Sequence, residues 1–173
     1  PLIFSFLNKN IPKIKRNIKL YNFGLSNQNT KTILRIPIRN ESMQEENYEE
    51  FFEMGRATIH DKNEFKSYKS FETEVRKLDD LNFDNTISFL KIDVEGHEEK
   101  VIEGAFNTIN KNRPVLLVEI EEKHSKKKVI DTINYINSLG YKSFYLDEKK
   151  LIETKNLENF NNYNNYIFKP NKD

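Results

Sequence analysis

Three short β-rich runs, separated by two stretches of helical periodicity, constrain the fold more than any other feature of this chain. They are ISFLKI at 87–92, VLLVEI at 115–120 and YKSFYL at 141–146, each bounded by polar or turn-forming residues. Between the first two, Val101, Ile102, Ala105, Phe106 and Ile109 share one helical face, so the spacing predicts a helix from about Glu95 to Asn110. Between the second and third, Val129, Ile130, Ile133 and Ile136 repeat the pattern, with Ser125 as N-cap and Gly140 in the position of a C-terminal glycine. Strand–helix–strand–helix–strand with short joints predicts right-handed crossovers and a parallel, doubly wound α/β sheet. A last strand, YIFK at 166–169, follows an Asn-rich connection and can add antiparallel.

The first half is less regular. Leu2, Ile3, Phe6, Leu7, Ile11 and Ile14 fit one face of a helix over residues 2–16, with Pro12 straining its last turn. IKLYNFGL at 18–25 reads as a strand that ends in a turn at Ser26–Asn29. TILRIPI at 32–38 alternates, and Pro37 favours an edge position. Residues 40–73 read as an irregular insertion. Its acidic run (Glu45, Glu46, Glu49, Glu50, Glu53), interleaved with Tyr48, Phe51 and Phe52, suits a solvated, partly helical segment, although long loops of this kind also serve as lids. No linker and no repeat divides residues 1–173, so one domain is expected.

Composition removes several function classes. With 28 basic and 27 acidic residues the net charge is +1, which gives no field for nucleic acid or a membrane surface. There is no cysteine, so disulfides, thiolate metal sites and a cysteine nucleophile are excluded. The longest apolar block, VLLV at 115–118, is far too short to span a bilayer, and no leader pattern opens the chain, so a cytoplasmic location is expected. The first residue is Pro1 rather than Met, which suits a fragment or a processed product.

The chemistry concentrates in Lys91-Ile92-Asp93-Val94-Glu95-Gly96-His97-Glu98, which starts in a strand and runs into a helix. Ligands of open α/β sheets bind at the carboxyl ends of the strands, where Asp93 stands. If the backbone stays extended, Asp93 and Glu95 point to one side. Gly96 permits the turn, and His97 titrates near neutrality. Glu119 occupies the same end of the next strand, and His124 lies in the loop beyond. Such a group could act as a general base toward a hydroxyl, or hold a hard divalent cation through oxygen ligands. Equally, Asp93 or Glu95 could simply cap the helix, and His97 could be a surface histidine. His60 has no evident partner. Lys126-Lys127-Lys128 would sit in a helix's first turn, as an anion site or a solvated patch. Gly104, inside a helix, implies a close approach between helix and sheet.

FLKIDVEGHEEKVIEGA at 89–105, followed by RPVLLVEI at 113–120, resembles the signature of FkbM-type methyltransferases. Lys77-Leu78-Asp79-Asp80-Leu81, Met54-Gly55-Arg56-Ala57-Thr58, Leu25-Ser26-Asn27 and Asn165-Tyr166-Ile167-Phe168 are similar to supporting segments of that family. The resemblance implies a class I methyltransferase fold, a Rossmann-like sheet, mostly parallel with an antiparallel last strand. It also implies S-adenosylmethionine as cofactor and O-methylation of a sugar or another small hydroxylated compound. By the same resemblance Asp93 would lie near the reacting methyl group or the acceptor, with Glu95 and His97 lining the acceptor side. Leu25 and Ser26 would fall near the adenine, and Glu119 and His124 would help bind the acceptor.

One departure stands out. A nucleoside-binding sheet needs a glycine-rich turn after its first strand, and the chain has glycines only at 24, 55, 96, 104 and 140. Pro1 matches the proline that in the family commonly follows the ribose-binding glutamate. The expectation is therefore a sheet lacking its first two strands, with an exposed apolar edge and weak cofactor binding by this chain alone. The alternatives are a non-catalytic, methyltransferase-like interaction module and a metal-dependent hydrolase built on Asp93, Glu95 and His97.

Overall fold

The computed structural model describes residues 2–14, 17–38, 57–59, 66–125, 127–157 and 160–171. Helix α1 (Leu2–Ile14) is followed by β1 (Gly24–Leu25), β2 (Thr30–Pro37) and β3 (Tyr68–Arg76), which form a three-stranded sheet of order β1-β3-β2. Strand β1 runs parallel to β3, and β2 runs antiparallel to it from Thr30↔Val75 to Pro37↔Tyr68. As Pro37 predicts, β2 is an edge strand of that order. Its middle is met by an isolated bridge between Arg35 and Thr58.

The second sheet begins at β4 (Phe89–Ile92) and continues through α2 (Glu98–Glu103), α3 (Phe106–Asn112) and β5 (Val115–Glu119). It goes on through α4 (Glu122–Ser125), α5 (Val129–Ser138), β6 (Tyr141–Asp147), β7 (Lys150–Glu153) and β8 (Asn165–Pro170). Its order is β4-β5-β8-β6-β7. Strands β4 and β5 pair in parallel, whereas β8 is antiparallel to both β5 and β6, so the sheet is mixed rather than mostly parallel. The antiparallel last strand is as expected.

Alternation along these strands decides where the core lies. Ile92, Leu116, Val118, Tyr166, Phe168, Tyr141 and Tyr145 occupy one face by register and are buried with Val101, Ile102 and Ala105 of the α2–α3 region, Ile109 of α3, and Val129, Ile133 and Ile136 of α5. The opposite face carries Phe89, Leu117, Ile167, Phe144 and Leu146, and none of these joins that core. Phe89 is 53% exposed and Leu146 is 54% exposed. Among the described residues the helices of this sheet thus cover one face, which corrects the doubly wound expectation. No helix among these residues is long and apolar enough to cross a membrane.

Local differences from the sequence reading have physical causes. Of residues 18–25 only Gly24 and Leu25 form a strand, because only they lie alongside β3. The single helix expected over 95–110 starts later, at Glu98, and is broken at Gly104–Ala105. A Cβ on Gly104 would lie 1.9 Å from the carbonyl oxygen of Ser26, so this glycine does mark a close approach, but to the turn after β1 rather than to a strand, and the helix divides there. Ser125 ends α4 instead of capping α5, whose N-cap is Lys128, and Lys127 pairs with Glu99 ahead of the helix. Gly140 has φ +84, as a C-terminal glycine should. Two strands went unforeseen: β3 takes up part of the expected irregular insertion, and β7 lies in the polar connection before β8. The acidic run at 45–53, Met54-Gly55-Arg56 and His60 lie outside the described residues.

Candidate active site

Parallel pairing of Ile92 with Val118 brings the carboxyl ends of β4 and β5 level, so Asp93 and Glu119 emerge side by side. Beyond Ile92 the backbone stops being extended. Glu95 has φ 51 and Gly96 has φ 97, both in the left-handed region. The alternation argument for Asp93 and Glu95 therefore does not apply, but the turn still keeps their charges coupled.

The electrostatics identify a cluster of four carboxylates. Glu95 is pushed up to about 6, first by burial and then by the neighbouring charges of Glu121, Asp93 and Glu119, with Lys123 opposing. Glu119 is raised as well, by burial and by Asp93 and Glu121. Lys91 pairs with Asp93, and Lys123 pairs with Glu121, whose other oxygen accepts a hydrogen bond from the amide of Asn164. A half-buried carboxyl group poised near 6 can take a proton from a bound hydroxyl, and its charged neighbours can orient such a group by accepting hydrogen bonds.

His97 is placed differently from the carboxylates. It is the N-cap residue of α2, and its Nε2 lies 2.9 Å from the hydroxyl of Ser26 at the end of β1. The side chain of His124 lies outside the described residues, and its backbone is in α4. Among the described residues, no group of three His, Asp or Glu side chains is arranged to hold a metal ion.

The residues assigned to the cofactor by resemblance do not make a cradle of their own. Ser26 is 2% exposed and its hydroxyl is engaged by His97, while Leu25 packs against the core. Asp93 is accessible but ion-paired. Among the described residues Gly96 is the only glycine between a strand and the helix that follows it, and its N–H is taken by Glu98. The described residues therefore do not fit S-adenosylmethionine as a complete site. A separate cavity of about 330 Å³ lies between α1 and the three-stranded sheet; Phe4, Leu7, Phe23, Leu34 and Phe71 help line it.

Four contributors escaped the sequence reading. Glu121 extends the β5 alternation two residues past Glu119, and that spacing could have revealed it. Asn164, which holds Glu121, and Thr58, whose hydroxyl donates to the carbonyl of Glu95 at 2.9 Å, come from distant segments without a local signal. Glu98 is 5% exposed, and its carboxylate accepts the N–H of Gly96 at 2.8 Å.

Comparison with known proteins bears on this geometry. No curated protein matches the sequence. Among solved structures, the methyltransferase FkbM from Methylobacillus flagellatus KT is similar, with 15% identity and a TM-score of 0.49 over 96% of this chain. The present chain covers 32% of the length of that one. The family description "Methyltransferase FkbM domain" matches residues 3–143, most of the sequence, and on that match the chain belongs to the FkbM methyltransferase family.

Proposed function

We propose that this chain is the acceptor-binding part of an S-adenosylmethionine-dependent methyltransferase acting on a hydroxyl of a sugar or another small hydroxylated compound. The observation that carries the reading is the carboxylate cluster at the carboxyl ends of β4 and β5, where Glu95 titrates near 6. Asp93 and Glu119 accept hydrogen bonds from hydroxyls of the acceptor, and Glu95 accepts the proton released at the reacting oxygen. The methyl donor is held mainly by polypeptide beyond these 173 residues, which supplies the glycine-rich turn and completes a Rossmann-like sheet. Two features support that arrangement: among the described residues β1 and β4 each stand at the end of a sheet, and the side chains on one face of the five-stranded sheet stay outside the core.

The test compares this chain with a longer version that carries a glycine-rich strand–turn. Isothermal titration with S-adenosylmethionine should detect binding by the longer version only, and tight binding by the 173-residue chain would overturn the assignment. In the longer version, Asp93→Asn should lower turnover by roughly 100-fold, as for a misplaced acceptor, with little change in melting temperature. Equal losses of turnover and stability would mark Asp93 as a cap. The sheet face with Phe89, Leu117, Ile167 and Phe144, which lies outside the core, favours a second reading, a methyltransferase-like interaction module. Failure of the longer version to bind the cofactor at all would point to it.

A further inference from the structure

The turn that carries Asp93 and Glu95 is wound around a carboxylate of its own. Successive left-handed residues, Glu95 and Gly96, gather backbone N–H groups on the inner side of the turn. N–H groups gathered in this way make a concavity that attracts anions. Here the anion is the side chain of Glu98, the first residue of α2. Its carboxylate accepts the N–H of Gly96 at 2.8 Å, and the backbone N–H groups of Val94 and of Glu98 itself also favour its charged form.

We infer that Glu98 is the positioning residue of this site, the built-in anion that fixes the Val94–Gly96 turn and thereby sets Asp93 and Glu95 toward the crevice. The inference rests on the reading of those two as acceptor-binding groups. A buried carboxylate is expensive unless its oxygens are hydrogen-bonded, and a left-handed non-glycine residue such as Glu95 persists only where its surroundings hold it. Each of these two unfavourable features is stabilised by the other. There is a further consequence for the ligand. Because the donors of the turn are directed inward, the crevice presents acceptors from Asp93, Glu95, Glu119 and Glu121, and it suits a hydroxyl donor better than a phosphate or a carboxylate.

Nuclear magnetic resonance on this chain tests the inference without any need for methyl transfer. In the wild type, the amide of Gly96 should exchange at least about tenfold more slowly than those of the exposed loop at 82–86. An unprotected amide there overturns the proposal even if no variant folds. In Glu98→Gln, which keeps one acceptor oxygen but no charge, that protection should weaken, and the Glu95 carboxyl midpoint should move by about half a pH unit or more toward the ordinary carboxylate range. Glu121, Asp93, Glu119 and Lys123 remain in place as its charged neighbours. The strand amides of Ile92 and Val118 serve as the folding control. Added formate should restore the Glu95 midpoint in Glu98→Ala by replacing the missing carboxylate. A Glu95 midpoint unchanged in Glu98→Gln, with only stability reduced, would show a purely structural role. If Glu98→Gln moves Glu95 while Asp93→Asn leaves turnover of the longer enzyme intact, the positioning stands and the proposed function falls.

Discussion

The Nε2 of His97 and the hydroxyl of Ser26, 2.9 Å apart, join the two sheets of the molecule. Ser26 directly follows β1, and His97 directly precedes α2. A second tie runs beside it, from the hydroxyl of Thr58 to the carbonyl of Glu95. The turn holding the candidate catalytic carboxylates is therefore anchored from the small sheet on both sides of Gly96, at Glu95 and His97.

A double-mutant cycle should reveal the coupling. Ser26→Ala and His97→Gln should each destabilise the chain in urea denaturation. The pair should lose less than the sum, with an interaction energy of about 1 kcal/mol, as for a part-buried neutral hydrogen bond. Strictly additive losses would mean that the contact contributes nothing to the joining of the sheets.

Gly104→Ala puts two effects in opposition. Alanine favours a helix over glycine by about 1 kcal/mol. The new Cβ, however, would meet the carbonyl oxygen of Ser26 at 1.9 Å and its carbonyl carbon at 2.8 Å, both backbone atoms that cannot swing away. Overpacking should win, with a net loss of roughly 1–3 kcal/mol and a lower melting temperature. A variant as stable as the wild type would show that the Ser26–Asn27 turn gives way easily.

Much of the five-stranded sheet was legible because β4, β5, β6 and β8 are compact apolar blocks whose buried face needs every second residue. Strand β3, YKSFETEVR, was missed: its alternation is confined to Phe71, Thr73 and Val75, and most of its side chains stay exposed. The 18–23 segment shows the converse, a β-rich composition without a neighbouring strand to pair with. Helical periodicity from Val101 to Ile109 runs through Gly104 and conceals the break, because the break is imposed by the backbone of Ser26, nearly eighty residues away. Asp93 and Glu119 could be placed from their positions at strand ends. Glu98 could not, since within Glu95, Glu98, Glu99 and Glu103 it reads as one more charge on a solvated helix face.

Asp79 is the side-chain cap that α3 lacks at its own N-cap position. Its two carboxylate oxygens accept the N–H groups of Asn107 at 3.0 Å and Thr108 at 2.8 Å, while its own N–H donates to the carbonyl of Gly104. Asp79→Ala should cost about 1–2 kcal/mol in chemical denaturation, the upper part of the range for loss of a cap, because two donors lose their acceptor. Asp79→Asn should recover part of that. Identical losses for the two substitutions would place the effect elsewhere than in these hydrogen bonds.

The pH dependence of stability has a definite sign. Glu95 titrates at about 6 in the folded chain, above its ordinary value of 4.5, so the folded state holds this proton more tightly than the unfolded state does. Below the unfolded value both states are protonated and the contribution is complete. As pH rises through the folded value, the unfolded chain has already ionised and the advantage is lost. Burial raises Glu119 and Glu98 in the same direction. Urea midpoints should therefore fall between about pH 4.5 and pH 6 and level off above that window. Glu95→Gln, which cannot ionise, should make the fall shallower and bring the variant closer to the wild type, or above it, at neutral pH. Parallel wild-type and variant curves across this window would show that Glu95 titrates alike in both states, and that the crowding of carboxylates around it is relieved in the folded chain.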